Sequence, residues 1–286
     1  MGVTAAQVRS YVDEGFLVVE GLLSRSELDE IAADVVRFAR GDYPLVEPPP
    51  VAAGSSDEEA TRSVLAVHFP HWVSPVARRF VDHPGLVEVL TRITGAHLPH
   101  WDGGVKCMQS MLFVKPPGLP GQAWHQDERF IPTRDRSLVG AWMAVDDATV
   151  DNGCLWVLPG SHRNGYLWPT GPHERPDEFD LADESHGFDD EAAVPVEVER
   201  GSVVFFNGYL LHRSFRNRSD GYRRALVHHY CNSWSLLPWA PTKTVPGQDI
   251  PTLDNRTVTV VAGDDPYAWR GTSKTPSSVF LRRYVP

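Results

Sequence analysis

Three side chains in this sequence have the types and spacing of a metal site. His125 and Asp127 stand two residues apart in Trp124-His125-Gln126-Asp127, and His212 follows a distant apolar run. In an extended segment, residues two apart project from the same face. A second imidazole arriving from another strand would complete two His and one carboxylate on one side of a metal, leaving the other positions open to small ligands. The usual occupant of such a facial set is non-heme Fe(II) in oxygenases. Arg223, beyond His212, adds a rigid cationic fork suited to a carboxylate-bearing co-substrate.

A His-x-Asp tripeptide alone says little. With 12 His in 286 residues, about one such tripeptide is expected by chance. The chain holds a second, His100-Trp101-Asp102, between Pro99 and Gly103-Gly104, where a surface turn is the simpler reading. The first is better placed. Residues 105–115 read as a strand, and Lys115-Pro-Pro-Gly-Leu-Pro-Gly supplies a turn leading into His125. Strand-like runs follow at 137–145 and 154–158, as expected if the pair sits at the mouth of a sheet.

For the third ligand, His228 and His229 compete with His212. They occupy the strand 222–230, whose period-two alternation sets Arg223, Ala225, Val227 and His229 on one face and Arg224, Leu226, His228 and Tyr230 on the other. If Arg223 points inward, His229 does too and lines a substrate pocket; a hydrogen-bonded sheet residue is the alternative for both histidines. His212 is preferred because Gly201-Ser-Val-Val-Phe-Phe-Asn-Gly delivers it from a short apolar strand bounded by turns.

In order and spacing, residues 105–230 resemble the phytanoyl-CoA dioxygenase family of Fe(II)/2-oxoglutarate-dependent oxygenases. The matching runs are Met111-Leu-Phe-Val-Lys-Pro-Pro-Gly, Trp124-His-Gln-Asp, Ala141-Trp142, Asp151-Asn-Gly-Cys-Leu-Trp-Val-Leu-Pro-Gly-Ser-His162, Gly201-Ser-Val-Val-Phe-Phe, and His212-Arg-Ser-Phe-Arg-Asn-Arg-Ser with Arg223. Residues 8–103 agree more loosely. The resemblance implies that His125, Asp127 and His212 bind iron. It implies that Arg223 and Ser214 hold the distal carboxylate of 2-oxoglutarate, with Met111, Gln126, Trp142 and Gln109 around the co-substrate. Phe113, Phe130, His229 and Trp234 are the substrate-side candidates. The upstream lysine that some members set against 2-oxoglutarate has no clear counterpart, His68 being a weak substitute. The reaction implied is O2-dependent decarboxylation of 2-oxoglutarate to succinate and CO2, coupled to hydroxylation of an unactivated C–H bond. Related halogenases carry Gly or Ala in place of the carboxylate, so Asp127 favours hydroxylation or another oxidative outcome.

The physical logic agrees. Iron held by two neutral imidazoles and one carboxylate stays net positive and attracts a 2-oxo acid. The far carboxylate would be buried unpaired without Arg223, a cost of several kcal/mol. Two other classes are weighed beside this one. A cupin-like metal isomerase or lyase would need the triad but not Arg223 beside Ser214. A binding protein on a retired oxygenase scaffold would not need the intact set. Among the substrates the resemblance covers (acyl thioesters, compatible solutes, natural products), a small or medium-sized, largely apolar metabolite is preferred. A coenzyme A ester would call for a basic patch, for which Arg213, Arg216 and Arg218 are the nearest candidates.

Composition fits one globular unit: 42% apolar and 22% charged residues are ordinary. A net charge of −10 argues against nucleic acid or an anionic membrane as partner, and no apolar run reaches a membrane-spanning length. A homodimer is left open. Cys107, Cys154 and Cys231, without a CxxC pair, read as reduced buried thiols in a cytoplasmic biosynthetic enzyme.

The elements that must position the site follow. Helices are expected at 4–15, from the capping box Ser24–Glu27 to Arg40, and in two pieces across 74–94, with a strand at Leu17–Gly21 and a flexible loop at 41–60. The expected class is mainly β with flanking α-helices around a double-stranded β-helix of the jelly-roll, cupin-like kind. Residues 1–103 would pack helices and strands on the barrel, 104–234 form the catalytic core, and 235–286 extend from it. The insert from His173 to Glu191 carries nine carboxylates and reads as a solvated loop, with a lid as the alternative.

Overall fold

The computed structural model describes residues 2–43, 51–52, 54–236, 257–270 and 279–283. Thr4 and Ser24 each cap a helix reciprocally with Gln7 and Glu27, which starts α1 (Ala5–Glu14) and α2 (Arg25–Arg40) where the sequence signals stand. Between them runs β1 (Phe16–Val19). On α2, Leu28, Ile31, Val35, Phe38 and Ala39 recur at helical spacing and are buried. The stretch expected to be a loop at 41–60 is partly helical. Ser56 and Glu59 form a third capping box and open α3 (Asp57–Arg62), a signal legible in Ser-Ser-Asp-Glu-Glu. After β2 (Val64–His68) come α4 (Pro75–Arg79) and α5 (Pro84–Ile93), each with proline in its first turn, where a missing N–H costs nothing.

The remaining strands are β3 (Val105–Lys115), β4 (Gln122–His125), β5 (Val139–Ala144), β6 (Leu155–Val157), β7 (Thr170–Gly171), β8 (Glu184–Ser185) and β9 (Val194–Val196). Then follow β10 (Val203–Asn207), β11 (His212–Ser214), β12 (Arg223–Asn232), β13 (Thr259–Ala262) and β14 (Phe280–Arg283). A large antiparallel sheet runs β1-β10-β5-β12-β3-β2-β14, with β13 also on β3; a smaller one runs β4-β11-β6-β9. Strands from both ends of the chain therefore join the sheet that carries Arg223.

Alternation along the large sheet assigns its two faces. Ala141, Met143, Val203, Phe205, Leu226 and Tyr230 pack with the helices. Trp142, Ala144, Val204, Phe206, Ala225 and Val227 pack with Leu155, Val157 and Val196 of the small sheet. Two sheets closed over this interior make the double-stranded β-helix that the sequence leads one to expect.

On the helix side, His71 lies against Ser110 of β3 (Nδ1···Oγ 2.5 Å), and its ring is 6.1 Å from that of His228. Burial, then the charge of Arg78, pushes His71 down to about 4; burial and His71 push His228 well below its ordinary value. Both histidines are therefore neutral in the fold, whereas in the unfolded chain they take up protons near pH ~6.5. Their contribution is complete above that pH and is lost as pH falls toward 4. Buried Glu128, pushed up to about 8 by burial, works in the opposite sense above its unfolded value. The test is thus a difference. Between pH 7 and 5 the parent should lose stability more steeply than His71→Leu, by roughly 1 kcal/mol per pH unit. Parallel thermal-unfolding profiles would show that His71 is not the titrating group.

Candidate active site

The triad is assembled by direct strand pairing. β4 and β11 are antiparallel neighbours, and their register sets His125 opposite His212, with ring centroids 4.1 Å apart. Asp127 follows where the chain leaves β4 into a short 3-10 turn. Its Oδ1 lies 3.6 Å from Nε2 of each imidazole, and the three ligand atoms fall within 4.8 Å of one another. Each imidazole donates its Nδ1–H to a carbonyl two residues earlier, His125 to Ala123 (2.8 Å) and His212 to Leu210 (2.9 Å). That fixes the tautomer and leaves both Nε2 lone pairs aimed at the gap.

Electrostatics keep the set ready for a cation. Burial pushes His125 down to about 4, and His212 adds to it. Burial alone would raise the Asp127 carboxyl, but the neighbouring His212 and a hydrogen bond from His229 outweigh it and hold the group well below the usual carboxylate range. Two imidazoles beside one carboxylate are the donor set a divalent transition metal fits. His229 Nε2 meets Asp127 Oδ2 at 2.9 Å. It occupies one carboxylate oxygen and leaves Oδ1 facing the imidazoles.

The same cavity, about 800 Å³, holds Arg223 and Lys115. Arg223 is buried, its guanidinium 5.6 Å from the Trp142 ring, and its Nε has no hydrogen-bond partner among the described residues. The nearby acid, Asp146, is taken by Arg224 at 2.7 Å. Lys115, directly opposite Arg223 in the β3–β12 register, donates to Ser214 Oγ at 2.9 Å. A buried guanidinium without an anion is costly, so this corner fits a carboxylate supplied from outside. Ser214 stands two residues after His212 on β11, roughly 7 Å along the strand, which is within the reach of a five-carbon diacid.

Most residues singled out from sequence meet here. His125, Asp127, His212, Arg223, Ser214, Met111, Trp142, Gln109, Phe113, Phe130 and His229 all line the cavity, as does His68. Gln126 does not. Its amide donates to the carbonyls of Tyr166 (2.9 Å) and Tyr209 (2.7 Å) and accepts from Trp168 N–H (2.9 Å). Alternation could have said so, because a residue between two inward ligands points outward. Trp234 is 47% exposed and away from the cavity walls. His162 donates to the Val12 carbonyl (2.9 Å), a structural role. Lys115 is the residue sequence reasoning missed.

The acidic insert is an exposed loop anchored at a few points: Phe179, Glu184 and Ser185 are buried, while most of its other residues face solvent. Its backbone pairs with Gly121 through Glu178 (2.7 Å) and Asp180 (2.8 Å), and Phe179 is buried with its ring 5.7 Å from that of Phe215. Asp190 accepts from Trp124 Nε1 (2.9 Å) and pairs with Arg213 (3.0 Å). Phe179, Asp180 and Leu181 thereby become cavity wall. The same contacts engage the arginines considered for coenzyme A phosphates: Arg213 holds Asp190, Arg216 donates to the Asp177 and Gly118 carbonyls, and Arg218 pairs with Glu178. Among the described residues, no helix is long and apolar enough to cross a membrane.

Comparison with known proteins agrees with this geometry. The family model for phytanoyl-CoA dioxygenase (PhyH) matches residues 11–225. The chain is 31% identical to phytanoyl-CoA dioxygenase domain-containing protein 1 of Bos taurus over 287 residues, covering 84% of this chain and 96% of that protein. It is 40% identical to phytanoyl-CoA dioxygenase 1 of rice over 144 residues, spanning 49% of this chain and 50% of that one. In fold it resembles the epimerase SnoN in complex with Fe3+, alpha ketoglutarate and nogalamycin RO, with a TM-score of 0.62, 20% identity, and 96% and 97% of the two chains covered. With its model matched across most of the chain and a relative aligned nearly end to end, the chain belongs to the phytanoyl-CoA dioxygenase family of Fe(II)- and 2-oxoglutarate-dependent oxygenases.

Proposed function

We propose that this enzyme hydroxylates an unactivated C–H bond of a small or medium-sized, largely apolar metabolite, releasing succinate and CO2. One observation carries the reading. A single cavity joins the His125/Asp127/His212 set, an anion-receptive corner at Arg223, and apolar walls from Met111, Phe113, Phe130, Phe179 and Leu181. His125, Asp127 and His212 would hold the metal, and Arg223 with Ser214 the distal carboxylate of 2-oxoglutarate. Bound there, Fe(II) supplies the O2 activation that couples decarboxylation of 2-oxoglutarate to oxidation of the substrate. Trp142 shields the co-substrate corner from water, which strengthens the Arg223 interaction. Phe113 and Phe130 would pack on the substrate.

Several features support the finer points. Leu181 at 98% exposure and Phe130 at 50% give the cavity an apolar rim, as suits an apolar ligand. With Arg213, Arg216 and Arg218 spent on the insert, a coenzyme A ester is disfavoured. The three cysteines are free and buried, which supports a reducing compartment such as the cytoplasm. The test is succinate release under O2 across a panel of apolar metabolites, set against carbohydrates and amino acids. Stimulation confined to the polar compounds would overturn the substrate class.

His229 acts on the metal ligand rather than on substrate alone. His229→Leu is expected to weaken Fe(II) binding by roughly 10- to 100-fold, as loss of a partner behind a ligand usually does, with His229→Gln recovering part of it. Anaerobic calorimetry checks this, and an unchanged affinity would leave His229 as cavity lining only.

A further inference from the structure

Lys115 is an unusual place for an ammonium. It ends β3 inside the cavity, it is buried, and it faces Arg223 across the strand pair. Its Nζ donates to Ser214 Oγ (2.9 Å), to the Phe215 carbonyl (2.7 Å) and to the Gly153 carbonyl (3.4 Å), so three donors meet three acceptors. No carboxylate pairs with it among the described residues. Burial and the adjacent Arg223 drive its pKa well below the ordinary lysine value. Gly153 makes room for it. That residue sits at φ +81°, and a Cβ there would lie 2.9 Å from Lys115 Nζ and 2.4 Å from the Phe215 carbonyl oxygen. The Asn152-Gly153 turn is thus shaped to admit the ammonium.

Ser214 shows what the ammonium does. A serine hydroxyl has two lone pairs and one proton. Lys115 Nζ takes one lone pair and the Gln122 N–H (3.3 Å) takes the other. The proton finds no acceptor among the described residues, and Ser214 lines the cavity. We propose that Lys115 is a positioning residue for the co-substrate: it occupies the Ser214 oxygen so that the hydroxyl proton is donated to the distal carboxylate lying on Arg223. Lys115 and Arg223 together also set a positive field at that corner, so a carboxylate arriving there relieves a repulsion already present. This rests on the assignment of Arg223 and Ser214 given above.

A lysine that merely staples the 153 turn to β11 would serve every ligand alike, and that separates the two roles. Binding of 2-oxoglutarate and of 2-oxopentanoate, which has the same chain without the distal carboxylate, is measured by anaerobic calorimetry on the Fe(II)-loaded protein. Lys115→Met is expected to weaken 2-oxoglutarate by about 10- to 100-fold, the usual range for a hydrogen bond to a charged group. Binding of 2-oxopentanoate should stay within about twofold. Turnover at saturating 2-oxoglutarate should be largely retained, so that KM rather than kcat moves. Ser214→Ala should show the same preference, and the double variant should be no weaker than the weaker single one.

Equal weakening of both ligands, or losses that simply add in the double variant, would assign Lys115 a structural role and overturn the proposal. Ser214→Ala alone decides the matter if Lys115→Met does not fold, because an unchanged 2-oxoglutarate affinity sinks the idea. Arg223→Ala separates this failure from a larger one. If Arg223 matters for 2-oxoglutarate while Lys115 and Ser214 do not, only this inference falls; if none of the three matters, the co-substrate corner itself is misplaced.

Discussion

Replacing Arg223 with methionine should move stability and function in opposite directions. The guanidinium is buried, its Nε has no partner among the described residues, and its cross-strand neighbour is a second buried cation. Burial pushes it down to about 10, which records how poorly the site tolerates the charge without an anion. A methionine of similar length removes that penalty and stacks on Trp142, so the variant without ligands is expected to melt no lower than the parent, and higher if the cavity is dry. Binding of 2-oxoglutarate should meanwhile fall by roughly 100-fold or more, because its distal carboxylate would then be buried unpaired. Saturating co-substrate should recover part of the turnover, since Arg223 orients rather than reacts. Thermal unfolding with and without 2-oxoglutarate reads both effects. A variant that is simply destabilised, with co-substrate still protecting it, would mean that Arg223 is a core residue.

Asp127→Ala should have the largest effect on activity. It removes the only carboxylate of the triad and also strands His229, whose Nε2 lies 2.9 Å from it. Two imidazoles remain, but the site loses its negative charge and one of its three protein ligands. Iron-dependent turnover is expected to fall by at least about three orders of magnitude, the equivalent of several kcal/mol of metal-derived stabilisation. The protein itself should survive, because Asp127 lies in a short 3-10 turn beyond β4 and belongs to no part of the apolar core. Asp127→Glu should not restore activity, since one added methylene displaces the carboxylate by more than the site allows. Retention of iron-dependent turnover in Asp127→Ala would remove the triad from the mechanism.

How much of this was legible follows from the range of the interactions involved. Capping boxes at Ser24 and Ser56 are local, and the helices begin there; only the second was passed over, inside a stretch that composition made look like a loop. Period-two alternation separates the two faces of β12, so an inward Arg223 carries His229 inward with it and turns His228 outward. It would have turned Gln126 outward as well, had it been applied against the resemblance. Lys115 was not legible. A lysine before Pro-Pro-Gly reads as the solvated end of a strand, and only the approach of Gly153 and Phe215, distant in sequence, encloses it. The anchors of the acidic insert were hidden for a related reason. Nine carboxylates suggest solvation, but the partners that tie the insert down are Trp124, Arg213 and Arg218, 23 to 66 residues away in sequence.

The most direct test of the whole account is an anaerobic ultraviolet-visible titration with Fe(II), then 2-oxoglutarate. A weak metal-to-ligand charge-transfer band in the green is expected only when both are present. It should vanish in His125→Ala, where the metal is lost, and reappear at elevated 2-oxoglutarate in Arg223→Ala, where only the co-substrate grip is lost. Iron that binds without ever producing the band on addition of 2-oxoglutarate would contradict the assignment of this cavity as the oxygenase centre.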